Sequence, residues 1–168
     1  MGSFGNFSVD WTVELADNNG NCENLTIVQA PTEAGVITKL VYWGKIFSGT
    51  PKCRAIVYTN SGSNKPDVLL GVGDEVAPPV AEGYFNLTGL NVHFSANQML
   101  WIGFMDDGNG NIENRYRTVV AAMAFVSGGF TYPTPIAVMV PANVSLYDEQ
   151  QSVYAEYIPD IATGTFLF

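Results

Sequence analysis

Apolar residues recur at every second position through most of this chain, and that alternation limits what it can fold into more than any other feature. Successive side chains of a strand point to opposite faces, whereas a helix needs apolar residues three and four apart. Residues 37–47 read Ile-Thr-Lys-Leu-Val-Tyr-Trp-Gly-Lys-Ile-Phe, rich in β-branched and aromatic side chains. Residues 53–59 form a second such run, bounded by Gly49-Thr50-Pro51 and by Asn60-Ser61-Gly62. Further strand candidates cover 7–14, 25–29, 68–72, 83–86, 99–105, 115–122, 136–140 and 152–158. Asn, Gly, Pro and Asp separate them at intervals of roughly ten residues. Only 119–125 has a helical look, and Gly128-Gly129 stops it, so it reads as a strand running into a loop. The spacing predicts an all-β fold: a two-sheet antiparallel β-sandwich, jelly-roll-like, with 1–168 as a single domain.

Composition sets the class of function. Hydrophobic residues make up 47% of the chain and charged ones 14%, enough apolar material for a core and too much for a disordered segment. A net charge of −9 argues against a nucleic-acid partner, since such binding neutralises phosphates. No apolar run approaches the ~20 residues that span a bilayer. Residues 1–10 lack the basic and apolar regions of a signal peptide, so the expectation is a protein made in the cytoplasm of its host. Cys22 and Cys53 are too few for a disulfide framework and read as buried free thiols, with a single bridge between them as the alternative.

The cations are clustered. Lys39, Lys45, Lys52, Arg54 and Lys65 fall between positions 39 and 65 with no acid among them, and only Arg115 and Arg117 lie elsewhere. A shared sheet for these strands gives a bipolar molecule that steers acidic partners; solvated strand faces that blunt sheet edges are the plainer alternative.

A resemblance rests on an ordered set of strand and turn residues. It begins with Glu33-Ala34-Gly35-Val36-Ile37, then Cys53-Arg54-Ala55-Ile56-Val57-Tyr58-Thr59 and Lys65-Pro66-Asp67-Val68-Leu69-Leu70. Met99-Leu100-Trp101-Ile102-Gly103-Phe104 follows before an Asp/Gly/Asn loop, and Val153-Tyr154-Ala155-Glu156-Tyr157 closes it. Residues 33–158 thereby resemble the jelly-roll β-sandwich modules of bacteriophage virion proteins and of bacterial carbohydrate-binding surface proteins. The resemblance implies fold more than function, and no catalytic or ligand-binding set travels with it.

Catalytic chemistry is hard to assemble from these residues. The single histidine, His93, alternates with apolar neighbours as a strand histidine does. Asp74-Glu75, Asp106-Asp107 and Asp148-Glu149 are adjacent acids, which on a strand face opposite ways and so do not make a glycosidase pair. The chain reads as non-enzymatic, requiring no cofactor.

One internal echo points to a cation. Asp17, Asn19, Asn21 and Glu23 repeat the spacing of Asp107, Asn109, Asn111 and Glu113, each set built on Asp-x-Asn-Gly-Asn-x-Glu, with Asp106 as an extra ligand beside the second. Alternating oxygens around a glycine can wrap calcium, which takes six to eight. The competing interpretation is two Asn-Gly hairpin turns.

Two further features concern partners. On 37–47, Lys39, Val41, Trp43 and Lys45 share one face, and Leu40, Tyr42 and Ile46 the other. One phase exposes Trp43 between two lysines for stacking on a sugar or anchoring a protein; the opposite phase exposes Tyr42 instead. At the C-terminal end, Phe166, Leu167 and Phe168 follow the last strand candidate, so 161–168, with 1–7, are candidate assembly arms, and folding back as an edge strand is the equal alternative for 161–168. The expectation is a structural protein that binds itself or other virion or surface-assembly proteins: a phage capsid decoration or tail/fibre component. A calcium-stabilised carbohydrate-binding module and a surface filament subunit joined by strand exchange are the alternatives.

Overall fold

A computed structural model describes residues 1–6, 12–15, 22–127 and 131–160, the backbone alone at 12–15 and at 127. Twelve strands account for most of it: β1 (Gly2–Gly5), β2 (Thr12–Leu15), β3 (Cys22–Gln29), β4 (Gly35–Gly49), β5 (Cys53–Asn60) and β6 (Pro66–Val76). The remainder are β7 (Gly83–Leu87), β8 (Val92–Phe94), β9 (Met99–Asp106), β10 (Gly110–Ser127), β11 (Val144–Gln151) and β12 (Val153–Pro159). The one helical element among the described residues is a single 3-10 turn, Pro141–Asn143.

All twelve strands hydrogen-bond into one curled antiparallel sheet, a half-barrel with the order β1-β12-β4-β10-β3-β9-β5-β6. Continuity between its halves comes from two long strands. β4 pairs with β12 along residues 35–42 and with β10 along 44–49. β10 pairs in turn with β4, β2, β11 and β3 along its length. The other edge of β4 carries β7 and β8. Where separate sheets were expected, these two strands run through both halves.

The main core lies between the halves. Leu40, Tyr42, Phe85 and Ala155 meet Val57, Ile102 and Phe104 there. A second cluster, with Ile56, Tyr58, Trp101 and Met105, covers the opposite face of β3, β9 and β5. These central strands are therefore buried on both faces, which is why 53–58 and 100–105 read as nearly continuous apolar runs without polar alternation.

Three local readings differ from expectation. Residues 136–140 form an irregular strap that touches β6 through an isolated Val68–Val138 bridge, because Pro133, Pro135 and Pro141 remove ladder donors. β11 escaped notice because Asp148-Glu149-Gln150-Gln151 has low strand propensity. Residues 119–125 lie within β10, whose pairing with β11 shifts register between Thr118 and Met123, where Ala121 takes φ +49°. At the N-terminal end, residues 2–5 of the candidate arm pair with β12 of the same chain, and Phe4 is buried against Phe94 and Tyr157.

Candidate functional site

The outer face of the β12-β4-β7 ribbon carries a row of partly accessible aromatic side chains, and Phe47 and Tyr147 are exposed as well. Period two sends Leu40 and Tyr42 into the core and turns Lys39, Trp43 and Lys45 outward. Tyr42 is wholly buried; its hydroxyl lies 2.9 Å from Gln151 Oε1 and its ring is edge-on to Phe104. The phase that turns Trp43 outward is the one the chain adopts, and Tyr42 is a core residue.

Register places Tyr84 of β7 opposite Trp43, and Tyr154 of β12 opposite Val41. The Trp43 and Tyr84 rings meet edge to face with centroids 4.6 Å apart, and Tyr84 meets Tyr154 in the same manner at 6.1 Å. Tyr84 is 47% exposed. Trp43 itself is half-buried because its polar atom is engaged: the indole Nε1–H donates to Glu82 Oε1 at 3.0 Å. Arg115 reaches the same oxygen at 2.5 Å while its guanidinium carbon lies 5.7 Å from the Trp43 ring centre. The Trp43 N–H and the Arg115 guanidinium hold the Glu82 carboxyl below its usual range, although it stands in solvent. Burial, with Glu156 and Tyr84 nearby, pushes the Tyr154 phenol up.

Ion pairs frame this aromatic row. Lys39 pairs with Glu156 at 3.2 Å and Lys45 with Glu113 at 3.3 Å. Lys52 pairs with Glu75 at 2.7 Å, and Lys65 donates to the carbonyls of Pro141 and Val144. Three of the five clustered cations, Lys39, Lys45 and Lys52, are thus paired with acids drawn from distant segments. The surface presents ring faces bordered by paired charges, a composition suited to stacking and hydrogen bonding with a partner.

The second half of the internal echo forms the turn between β9 and β10, two strands that pair with other neighbours. Asp107 Oδ1 accepts the amides of Lys52 and Asn109, both at 3.1 Å, and Asn109 Nδ2 donates to Asp107 Oδ2 at 2.7 Å. Burial works against these bonds, which still hold the Asp107 carboxyl below its usual range. Asp106 Oδ1 accepts the Gly108 amide at 2.9 Å, while Glu113 turns to Lys45. Asn111 pairs with Ser48 in the ladder. Among the described residues, no group of three or more His, Cys, Asp or Glu side chains is placed to hold a metal ion. In the first half of the echo, Asp17, Asn19 and Asn21 lie outside the described residues. Glu23 is a wholly buried side chain of β3, engaged by Tyr58 and Ile136, and is not a loop ligand.

Buried polar groups of β3 and β9 do structural work. Cys22, Asp106 and Cys53 occupy one row across β3, β9 and β5: Cys53 is the register partner of Asp106, and the Cys22 thiol donates to Asp106 Oδ2 at 2.9 Å. Both cysteines are free and buried, and burial pushes their thiols far above the ordinary range. On the other face, the Tyr58 hydroxyl lies 3.1 Å from both Glu23 carboxyl oxygens and 2.8 Å from the Ile136 carbonyl oxygen. The Ile136 amide donates to Glu23 Oε1 at 3.3 Å.

His93 is an exposed side chain of β8 opposite Val36. Phe166, Leu167 and Phe168 lie outside the described residues. Trp43 was singled out from sequence; Tyr84, Tyr154, Glu82 and Arg115 were not. The outward position of Tyr154 is readable from its alternation with Val153, Ala155 and Tyr157, whereas Glu82 and Arg115 lie 33 residues apart and meet only through the fold. Compared with known proteins, the chain matches no family model and no curated protein.

Proposed function

We propose that the chain is a non-enzymatic structural and interaction module, a jelly-roll-like sandwich whose two facing half-sheets are joined through β4 and β10. In this proposal it acts as a virion component of capsid decoration or tail/fibre type, assembling with itself or with neighbouring virion proteins. The resemblance of residues 33–158 to virion jelly rolls directs the reading to a phage particle. The observation that carries the interaction role is the Trp43–Tyr84–Tyr154 row on the outer face, with Arg115 over Trp43. Trp, Tyr and Arg are the residues that most often dominate interface energies, and ion pairs at a rim select partners more than they add affinity.

The test is the mass of the native chain across micromolar concentrations, by sedimentation or mass photometry, for the wild type and for Tyr84→Ala. A self-associating wild type whose assembly is lost in a folded Tyr84→Ala variant supports the proposal. A wild type that stays monomeric and fails to decorate particles assembled without it sinks the assembly role.

A second reading is favoured by one detail. Half-exposed Tyr84 stands edge-on to Trp43 and Tyr154, a stepped arrangement of ring faces on which a sugar chain can stack. Binding to immobilised oligosaccharides that Tyr84→Ala abolishes, with no self-association of the wild type, selects the carbohydrate-binding module.

A further inference from the structure

The strap at 131–140 is fastened over the second hydrophobic cluster at a point where the hydrogens must be counted. The Tyr58 hydroxyl has one proton and three acceptors within reach: the Ile136 carbonyl at 2.8 Å and the two Glu23 oxygens at 3.1 Å. If Glu23 is ionised, the phenol satisfies either the carboxylate or the carbonyl and turns a lone pair toward the other. If Glu23 is a neutral acid, every group is satisfied. Its O–H donates to the phenol oxygen, the phenol donates to the Ile136 carbonyl, and the Ile136 amide donates back to Glu23 Oε1. The shortest contact in the set is the one this ring requires.

From this geometry we infer that Glu23 is a proton-operated latch: as the neutral acid it closes the ring that clips Ile136 and the strap to the sheet, and on losing its proton it opens the ring and loosens the strap over Tyr58 and Trp101.

The surroundings agree. Glu23 is wholly buried, and burial is the main cause that pushes its carboxyl up to about 7, against the lowering effect of the Ile136 and Tyr58 bonds. Along β3 its neighbour is Cys22, bonded to Asp106 of β9. From β5 come Tyr58 and Arg54, the latter in one row with Glu23 through Met105. Arg54 acts on Glu75 and Tyr132. From the strap comes Tyr132, whose hydroxyl donates to Glu75 Oε2 of β6 at 2.9 Å, and Glu75 is in turn paired with Lys52. From β10, the register partner of Glu23 is Val126, which does not titrate. C-terminal to Ile136 the strap is held by backbone bonds, Leu69 to Ala137 and Met139 to Asp67, and N-terminal to it by the Tyr132–Glu75 bond, so the latch governs the stretch between these anchors.

The experiment is amide exchange on the wild-type chain between about pH 5.5 and about pH 8, expressed as protection factors corrected for intrinsic rates. Opening the strap hydrates the Glu23 carboxyl, so protection at Ile136 is expected to fall by roughly tenfold or more over that range and to stay well below that of Ile102 in β9, which exchanges only on global unfolding. The Glu23 side-chain carboxyl carbon, followed by NMR, is expected to titrate near neutrality. Glu23→Gln keeps the ring, its amide N–H donating to the phenol and its carbonyl accepting from Ile136, and removes the titration. Its protection at Ile136 is expected to be flat with pH. Constant wild-type protection, a Glu23 titration in the ordinary carboxylate range, or protection at Ile136 equal to that at Ile102 overturns the latch. Because two of these readouts use the wild type alone, a Glu23→Gln chain that fails to fold leaves the test intact.

Discussion

The thiol of Cys22 donates a hydrogen bond to the carboxyl of Asp106 at 2.9 Å, in a row of the sheet where both side chains are sealed from water. Asp106 Oδ1 is held by the Gly108 amide of the following turn, so the thiol satisfies the oxygen that the turn leaves over. Burial raises the Asp106 carboxyl, and these two bonds counteract it. Cys22→Ala is expected to destabilise the chain by about 1–3 kcal/mol, the cost of a buried acceptor left without its donor. Cys22→Ser, which keeps a donor, should lose less. Urea unfolding midpoints of the two variants make the comparison.

Neither cysteine should react with a disulfide reagent in the folded chain. The attacking species is the thiolate, and burial holds both Cys22 and Cys53 in the thiol form. Labelling is expected to follow global unfolding, with both thiols reacting together on addition of denaturant. Fast labelling of either in native buffer contradicts the burial described above.

Stability should fall as pH rises toward neutrality. The Glu23 carboxyl stands at about 7 in the folded chain against 4.5 ordinarily, so between those values the folded state keeps a proton that the unfolded state has released. The stability it contributes is whole below about 4.5 and is lost as pH passes through about 7. Asp106, also raised, acts in the same direction. Glu75 and Glu82 are lowered and act oppositely, costing stability as pH drops below 4.5. Urea midpoints measured across pH should therefore peak in the mildly acidic range, and Glu23→Gln should flatten the neutral limb.

Asp107→Ala should lower the melting temperature to the same extent with and without millimolar calcium. Its carboxylate is committed to the Lys52 and Asn109 amides and the Asn109 side chain, so the loss is that of a turn clasp. A calcium-dependent rise in the wild type that this variant abolishes would return the turn to the cation reading.

Phe4→Ala should cost about 3 kcal/mol, the low end for a buried phenylalanine because β1 is a short edge strand that can relax. Its ring packs on Phe94 and Tyr157 inside the main core, so residues 2–5 belong to the domain's own stability. Thermal unfolding of the folded variant gives the measurement.

Alternation along 37–47 was enough to predict a strand with two unlike faces, and the apolar runs at 53–59 and 99–105 marked two more. These are local properties: side-chain direction follows from the period of the backbone, and burial follows from which face carries the apolar set. Alternation alone left two opposite phases for Trp43 and Tyr42. Packing decided between them, because Phe85 and Phe104 close over Tyr42 from other strands. The polar run 148–151 carried no apolar signal, and its strand exists only because β10 offers it a ladder. What Glu23 does was out of reach of sequence for the same reason. The chain spells it as the last acid of a turn motif, yet Ile136, its partner, lies 113 residues away. Pairing between distant strands sets which carboxyl is buried, which donor meets it and which proton it keeps, and no window of neighbouring residues contains that information.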